Sequence, residues 1–155
     1  MTQRVELATV MDRLAIDAVV TGYAVAVDDG DWAAYRALFT AAGRADYSSA
    51  GGIEGPVHEV AAWLEETMRL FPVRQHLIVN RRIDLETLDG SAGDRAEVKA
   101  DFLNPMRLAG EGSEPGSTAP NFVAAGRYTF VLARTGDGWR LTGVTVHEKW
   151  RHLSA

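Results

Sequence analysis

The chain has 155 residues, 46% hydrophobic and 24% charged, with a formal net charge of −5, which suits one soluble globular domain spanning 1–155 and leaves little room for a second core. Cysteine is absent, which excludes disulfides and thiolate metal sites, and no concentrated Lys/Arg footprint offers itself to nucleic acid or to an anionic membrane. No apolar run is long enough for a transmembrane helix or a signal-peptide core, so no membrane partner and a cytoplasmic location are expected.

Leu7, Val10, Met11, Leu14, Val19, Val20, Tyr23 and Val27 recur at three- and four-residue steps and predict a long first helix. It stops at Asp28-Asp29-Gly30-Asp31, which holds a helix-ending glycine and a good N-cap in Asp31. A short second helix reads from Trp32 to Phe39. Arg44 to Tyr47 is a candidate strand, and Ser48 to Gly52 a turn-rich linker. Gly55-Pro56 opens a third helix whose apolar side carries Val60, Trp63, Leu64, Met68, Leu70 and Phe71. Four strands follow, over Val73–Thr87, Ala96–Asn104, Asn121–Thr135 and Gly138–Trp150, with Asp89-Gly90 and Asp137-Gly138 as hairpin signals. The Gly-, Ser- and Pro-rich stretch from Pro105 to Pro120 is too long for a tight hairpin and reads as a lid or a disordered flap. Helices first and antiparallel strands after them indicate an α+β fold, a curved antiparallel sheet packed on three N-terminal helices with a concavity between.

Few side chains in this pattern carry chemistry. Strand alternation puts His76, Ile78 and Asn80 on one face of the strand after the third helix. Read alone, His76 is either a structural histidine or an acid/base. Asp28, at the end of the first helix, reads on its own as a solvated residue beside Asp29 and Asp31. Tyr23 and Tyr47 read equally well as core aromatics with a wet hydroxyl. Periodicity alone does not join these residues. His147 reads as structural or as part of a dimer surface, and His58 as exposed. No metal-ligand spacing, phosphate-binding glycine loop or nucleophile elbow is present.

The stretch from Tyr23 to Trp32, with Leu38-Phe39 and Asp46-Tyr47, resembles the opening of SnoaL-like proteins in the NTF2-like superfamily. Arg74-Gln75-His76-Leu77-Ile78-Val79-Asn80 is similar to their central strand. Gly126-Arg127-Tyr128 and Asp137-Gly138-Trp139-Arg140-Leu141 resemble their final hairpin. The similarity is to the branch of scytalone dehydratase, bile-acid 7α-dehydratase and hexachlorocyclohexane dehydrochlorinase. It implies the NTF2-like cone around an internal pocket, and a cofactor-free elimination. His76 and Asp28 fall on that branch's base and its orienting carboxylate. Tyr23 and Tyr47 fall on its tyrosines. The chain departs from the branch at Asn104, where an acidic residue or second histidine is expected, and at Val27, where scytalone dehydratase has its other tyrosine.

The resemblance thus implies a cofactor-independent lyase acting on a cyclic, largely apolar small molecule such as a polyketide or steroid. His76, Asp28, Tyr23 and Tyr47 are the catalytic candidates, with no metal. Asn104, Phe102, Phe71, Met106, Phe122 and Trp150 are the substrate-binding candidates. The alternatives are an isomerase or cyclase on a similar substrate, or a small-ligand-binding module in which the Asp–His pair is structural. The small-molecule substrate is the expected partner, together with a second or third copy of the chain in a homo-oligomer.

Overall fold

The computed structural model describes residues 2–110 and 114–154. Three helices, α1 (Thr2–Asp29), α2 (Trp32–Ala37) and α3 (Val57–Met68), pack on one seven-stranded sheet. Its strands are β1 (Phe39–Asp46), β2 (Glu54–Pro56), β3 (Val73–Arg74), β4 (Leu77–Leu88), β5 (Ser91–Arg107), β6 (Phe122–Thr135) and β7 (Gly138–Leu153). The sheet order is β2-β1-β7-β6-β5, with β3 and β4 both along the outer side of β5. The expected α+β cone is therefore present. Every strand pairing is antiparallel except that of β1 with β7, which is parallel.

The turns explain the path. After α1, Gly30 takes a φ of +67° and the Asp31 amide returns to the Ala26 carbonyl at 2.9 Å. Asp31 then caps α2, its carboxylate accepting from the Ala34 amide at 2.9 Å. Asp89 and Gly90 both have positive φ and close a two-residue hairpin between Leu88 and Ser91. Ile16, Val20, Tyr23 and Val27 of α1 are fully buried against the sheet, each aliphatic one stabilising the layer by about 1.5–3 kcal/mol. Arg81 of β4 ties α1 down by donating to the Asp17 carboxylate at 3.0 Å and the Thr21 hydroxyl at 2.8 Å. Three turns into α1, Asp12 accepts from both Arg134 terminal nitrogens at 2.8 Å and from the Trp139 indole at 3.0 Å.

Two irregularities matter for the site. The strand read as continuous over 73–87 is broken at Gln75-His76, between β3 and β4. In β7 the register slips between Ala125, opposite Trp150, and Gly126, opposite Glu148, so Lys149 is an extra residue in a β-bulge.

Candidate functional site

The break at Gln75-His76 is where the first helix meets the sheet. The His76 amide, freed from the ladder, donates to both Asp28 carboxylate oxygens, at 2.9 and 3.1 Å. The Asp28 Oδ1 also lies 2.6 Å from His76 Nδ1. One carboxylate thus holds both the backbone and the ring of the same histidine. With Nδ1 committed to Asp28, Nε2 has no hydrogen-bond partner among the described residues, and His76 lines an internal cavity of about 300 Å³. The register on either side, Arg74 opposite Met106 and Leu77 opposite Leu103, sets His76 across from Asn104 of β5.

Asp28 is itself positioned by Arg74. The Arg74 Nε donates to the Val27 and Asp28 carbonyls at 2.9 and 3.1 Å, and Nη1 to the Met68 and Phe71 carbonyls at 2.8 and 3.3 Å. A single guanidinium therefore gathers the carbonyl ends of α1 and α3, where helix dipoles favour a cation. Gly30 is required beside it: a Cβ there would sit 2.8 Å from Arg74 Nη2, on a backbone already left-handed.

All four tyrosines of the chain are buried together, and Tyr23, Tyr47 and Tyr128 line the cavity. The Tyr47 hydroxyl bonds those of Tyr23 and of Tyr35, the latter at 2.8 Å. The Tyr23 ring also meets that of Tyr128 edge-on, with centroids 5.5 Å apart. Burial raises the Tyr23 and Tyr47 phenols well above their ordinary value near 10. Burial pushes Tyr128 up to about 12, against the opposing influence of Asn104 and Tyr23. Near neutrality these groups are uncharged hydrogen-bond donors, able to polarise a carbonyl oxygen.

The remaining walls are largely apolar. Phe102, Phe71, Met106 and Phe122 line the cavity, as do Tyr23, Tyr47 and Asn104. Trp150 does not: it is 51% exposed on the outer face. Val144, Val146 and Glu148 face inward, and regular alternation would continue to Trp150. The extra residue at Lys149 reverses the parity, so Arg151 turns in instead. Arg151 grips Glu148 with Nε at 3.0 Å and Nη2 at 2.7 Å, and reaches the Ala50 carbonyl at 2.8 Å. None of the described residues between β5 and β6 lines the cavity. The expected lid starts later than Pro105, since β5 continues to Arg107, and its residues 111–113 lie outside the described ones.

Sequence reasoning missed Arg74, Tyr35, Tyr128, Glu148 and Arg151. Tyr128 was within reach, because alternation groups it with the core residues Phe130 and Leu132. Nothing local marks the others. His147, His58 and His152 are exposed. Among the described residues no three His, Asp or Glu side chains gather as a metal site.

Residues 8–145 match the model of the SnoaL-like domain. The chain belongs to the SnoaL-like family. An uncharacterized protein of Mycobacterium tuberculosis is 28% identical over 135 residues, covering 87% of this SnoaL-like chain and 84% of that protein. A crystal structure of a protein from Kribbella flavida superposes with a TM-score of 0.77 at 23% identity, covering 93% of this chain and 95% of that one. The hexachlorocyclohexane dehydrochlorinase of Novosphingobium barchaimii superposes with a TM-score of 0.77 at 18% identity, covering 97% and 94%. At these identities the two structures share the fold with this SnoaL-like domain.

Proposed function

We propose that this SnoaL-like domain is a cofactor-independent lyase acting on a small cyclic, largely apolar molecule. The observation that supports it most is the 2.6 Å contact of Asp28 with His76 Nδ1, which leaves Nε2 to the cavity. Asp28 fixes the tautomer and stabilises the imidazolium that forms. His76 Nε2 removes a proton from the carbon next to a carbonyl, and a tyrosine hydroxyl steadies the developing oxyanion. The C–H electrons form a C=C bond as the bond to a neighbouring leaving group breaks. The proton passes from His76 to that group or to water. A cavity of about 300 Å³ lies at the small end of ligand sites, which favours one or two rings over the four of a steroid.

The same base also suits an isomerase. His76 could both remove a proton and return it to another carbon of the same molecule. Replacing His76 with Gln or Ala should abolish turnover of hydroxylated cyclic ketones while the circular dichroism spectrum stays native. Full activity in those variants sinks the assignment. A homo-oligomer paired through the outer sheet face belongs to this proposal. Exposed Leu77, Leu103 and Trp150 support it, aligned across β4, β5 and β7 with Ala125 between. A monomeric mass in sedimentation equilibrium rejects that part.

A further inference from the structure

The cavity wall carries a hydrogen-bond donor without an acceptor and an acceptor without a donor. Tyr35, Tyr47 and Tyr23 each bring one hydroxyl proton. They are joined in series by two contacts, Tyr35 to Tyr47 and Tyr47 to Tyr23. Each contact uses one proton whichever way it points. One proton of the three is left over. It does not stay on Tyr35, which is fully buried, does not line the cavity and has Tyr47 as its hydroxyl partner. The surplus donor therefore emerges on Tyr47 or Tyr23, both of which line the cavity.

Asn104 supplies the complement. It is 5% exposed, it lines the same cavity, and its Oδ1 is buried without a hydrogen-bond partner among the described residues. Buried polar atoms are nearly always paired, and an orphan in a pocket marks where a ligand atom belongs. His76 stands across the strand pair from it, so a group held at Asn104 lies beside the proposed base.

We infer that Asn104 is a specificity-determining residue: its Oδ1 accepts a hydrogen bond from a hydroxyl or N–H of the ligand, while the surplus tyrosine hydroxyl donates to an acceptor oxygen on the same molecule. An amide oxygen has no proton to give, so the group held at Asn104 is recognised rather than expelled. This rests on the reading of the cavity as a ligand site, and not on His76 as a base.

The test is binding without turnover. The His76→Gln protein is titrated calorimetrically with indanone, with hydroxyindanones bearing the hydroxyl at each ring position, and with the matching methyl ethers. At least one hydroxyindanone should bind about ten-fold or more tightly than both its ether and the parent ketone, because only the hydroxyl can donate to the orphan oxygen. In His76→Gln/Asn104→Leu that preference should fall to about two-fold or less, with the affinity for indanone itself kept. The inference is overturned if no hydroxyindanone outperforms indanone, absence of binding included, as expected where water serves both groups. A preference that survives Asn104→Leu overturns it equally. If the double variant does not fold, the ligand series on His76→Gln decides alone. A hydroxyl preference in a wild-type protein that shows no turnover would refute the dyad and leave this inference standing.

Discussion

Replacing Asp28 with Asn separates an oriented base from a merely buried histidine. Asn retains an oxygen for the His76 amide, which Asp28 now receives at 2.9 and 3.1 Å. Its NH2 group, however, meets Nδ1, where the carboxylate oxygen now lies at 2.6 Å. An NH2 donor there makes Nδ1 an acceptor and moves the ring proton to Nε2, the nitrogen proposed to receive the substrate proton. The carboxylate's attraction for the imidazolium is lost as well. For charges about 4 Å apart at an effective dielectric of about 20, that attraction is worth about 4 kcal/mol. At 1.36 kcal/mol per decade the expected loss in proton abstraction is about 1,000-fold. The assay is exchange of the protons next to the indanone carbonyl into heavy water, followed by proton NMR. It reads the abstraction step without needing the natural substrate. Thermal denaturation should change little, because the variant keeps the volume and the backbone contact. An exchange rate within about five-fold of wild type would refute the tautomer argument.

Arg74→Met removes the donor that four carbonyls share. It should cost about 2–4 kcal/mol in denaturant unfolding, and slow exchange further by displacing Asp28, whereas unchanged stability would show that water replaces the guanidinium. Gly126→Ala puts a Cβ 2.0 Å from the His147 carbonyl oxygen and should cost about 3 kcal/mol or more, so a native melting temperature contradicts the register given for β6 and β7. Spectroscopic titration should detect no phenolate in the folded protein at pH 10, the ordinary tyrosine value, with Tyr128 ionising near pH 12. The sign follows: raised folded values stabilise the protein fully below pH 10 and lose that contribution as pH climbs toward 12. Ionisation of several tyrosines in native protein near pH 10 would contradict their burial.

The helices, the hairpin turns and the long strands were legible because each is written in local pattern. The helical spacing of α1 ends at Asp28, and Asp89-Gly90 can hardly be anything but a turn. The Asp28–His76 pair was legible only through resemblance, since no periodicity links a helix end to a distant strand. What alternation mispredicted traces to places where a strand is not regular. The interruption at Gln75-His76 frees an amide for Asp28, and the slip at Lys149 exchanges Trp150 for Arg151 on the cavity wall. Arg74 and Tyr35 were illegible for another reason. Their partners are backbone carbonyls and a phenol brought near by the fold, and neither leaves a mark in the surrounding sequence.

The bulge in β7 also couples chain length to composition. Gly126 faces the crowded carbonyl of His147 because Lys149 is one residue more than the opposing strand needs. Deleting Lys149 would let Glu148 and Trp150 follow each other in register, opposite Gly126 and Ala125, with Trp150 still outside and Arg151 still inside. The space at position 126 would then open. A deletion that harms an ordinary strand should here rescue Gly126→Ala. Homologues would accordingly be expected to vary at the two positions together, a side chain at one accompanying a gap at the other. The strand would in that way shorten by one residue with Glu148 and Arg151 still on its inner face.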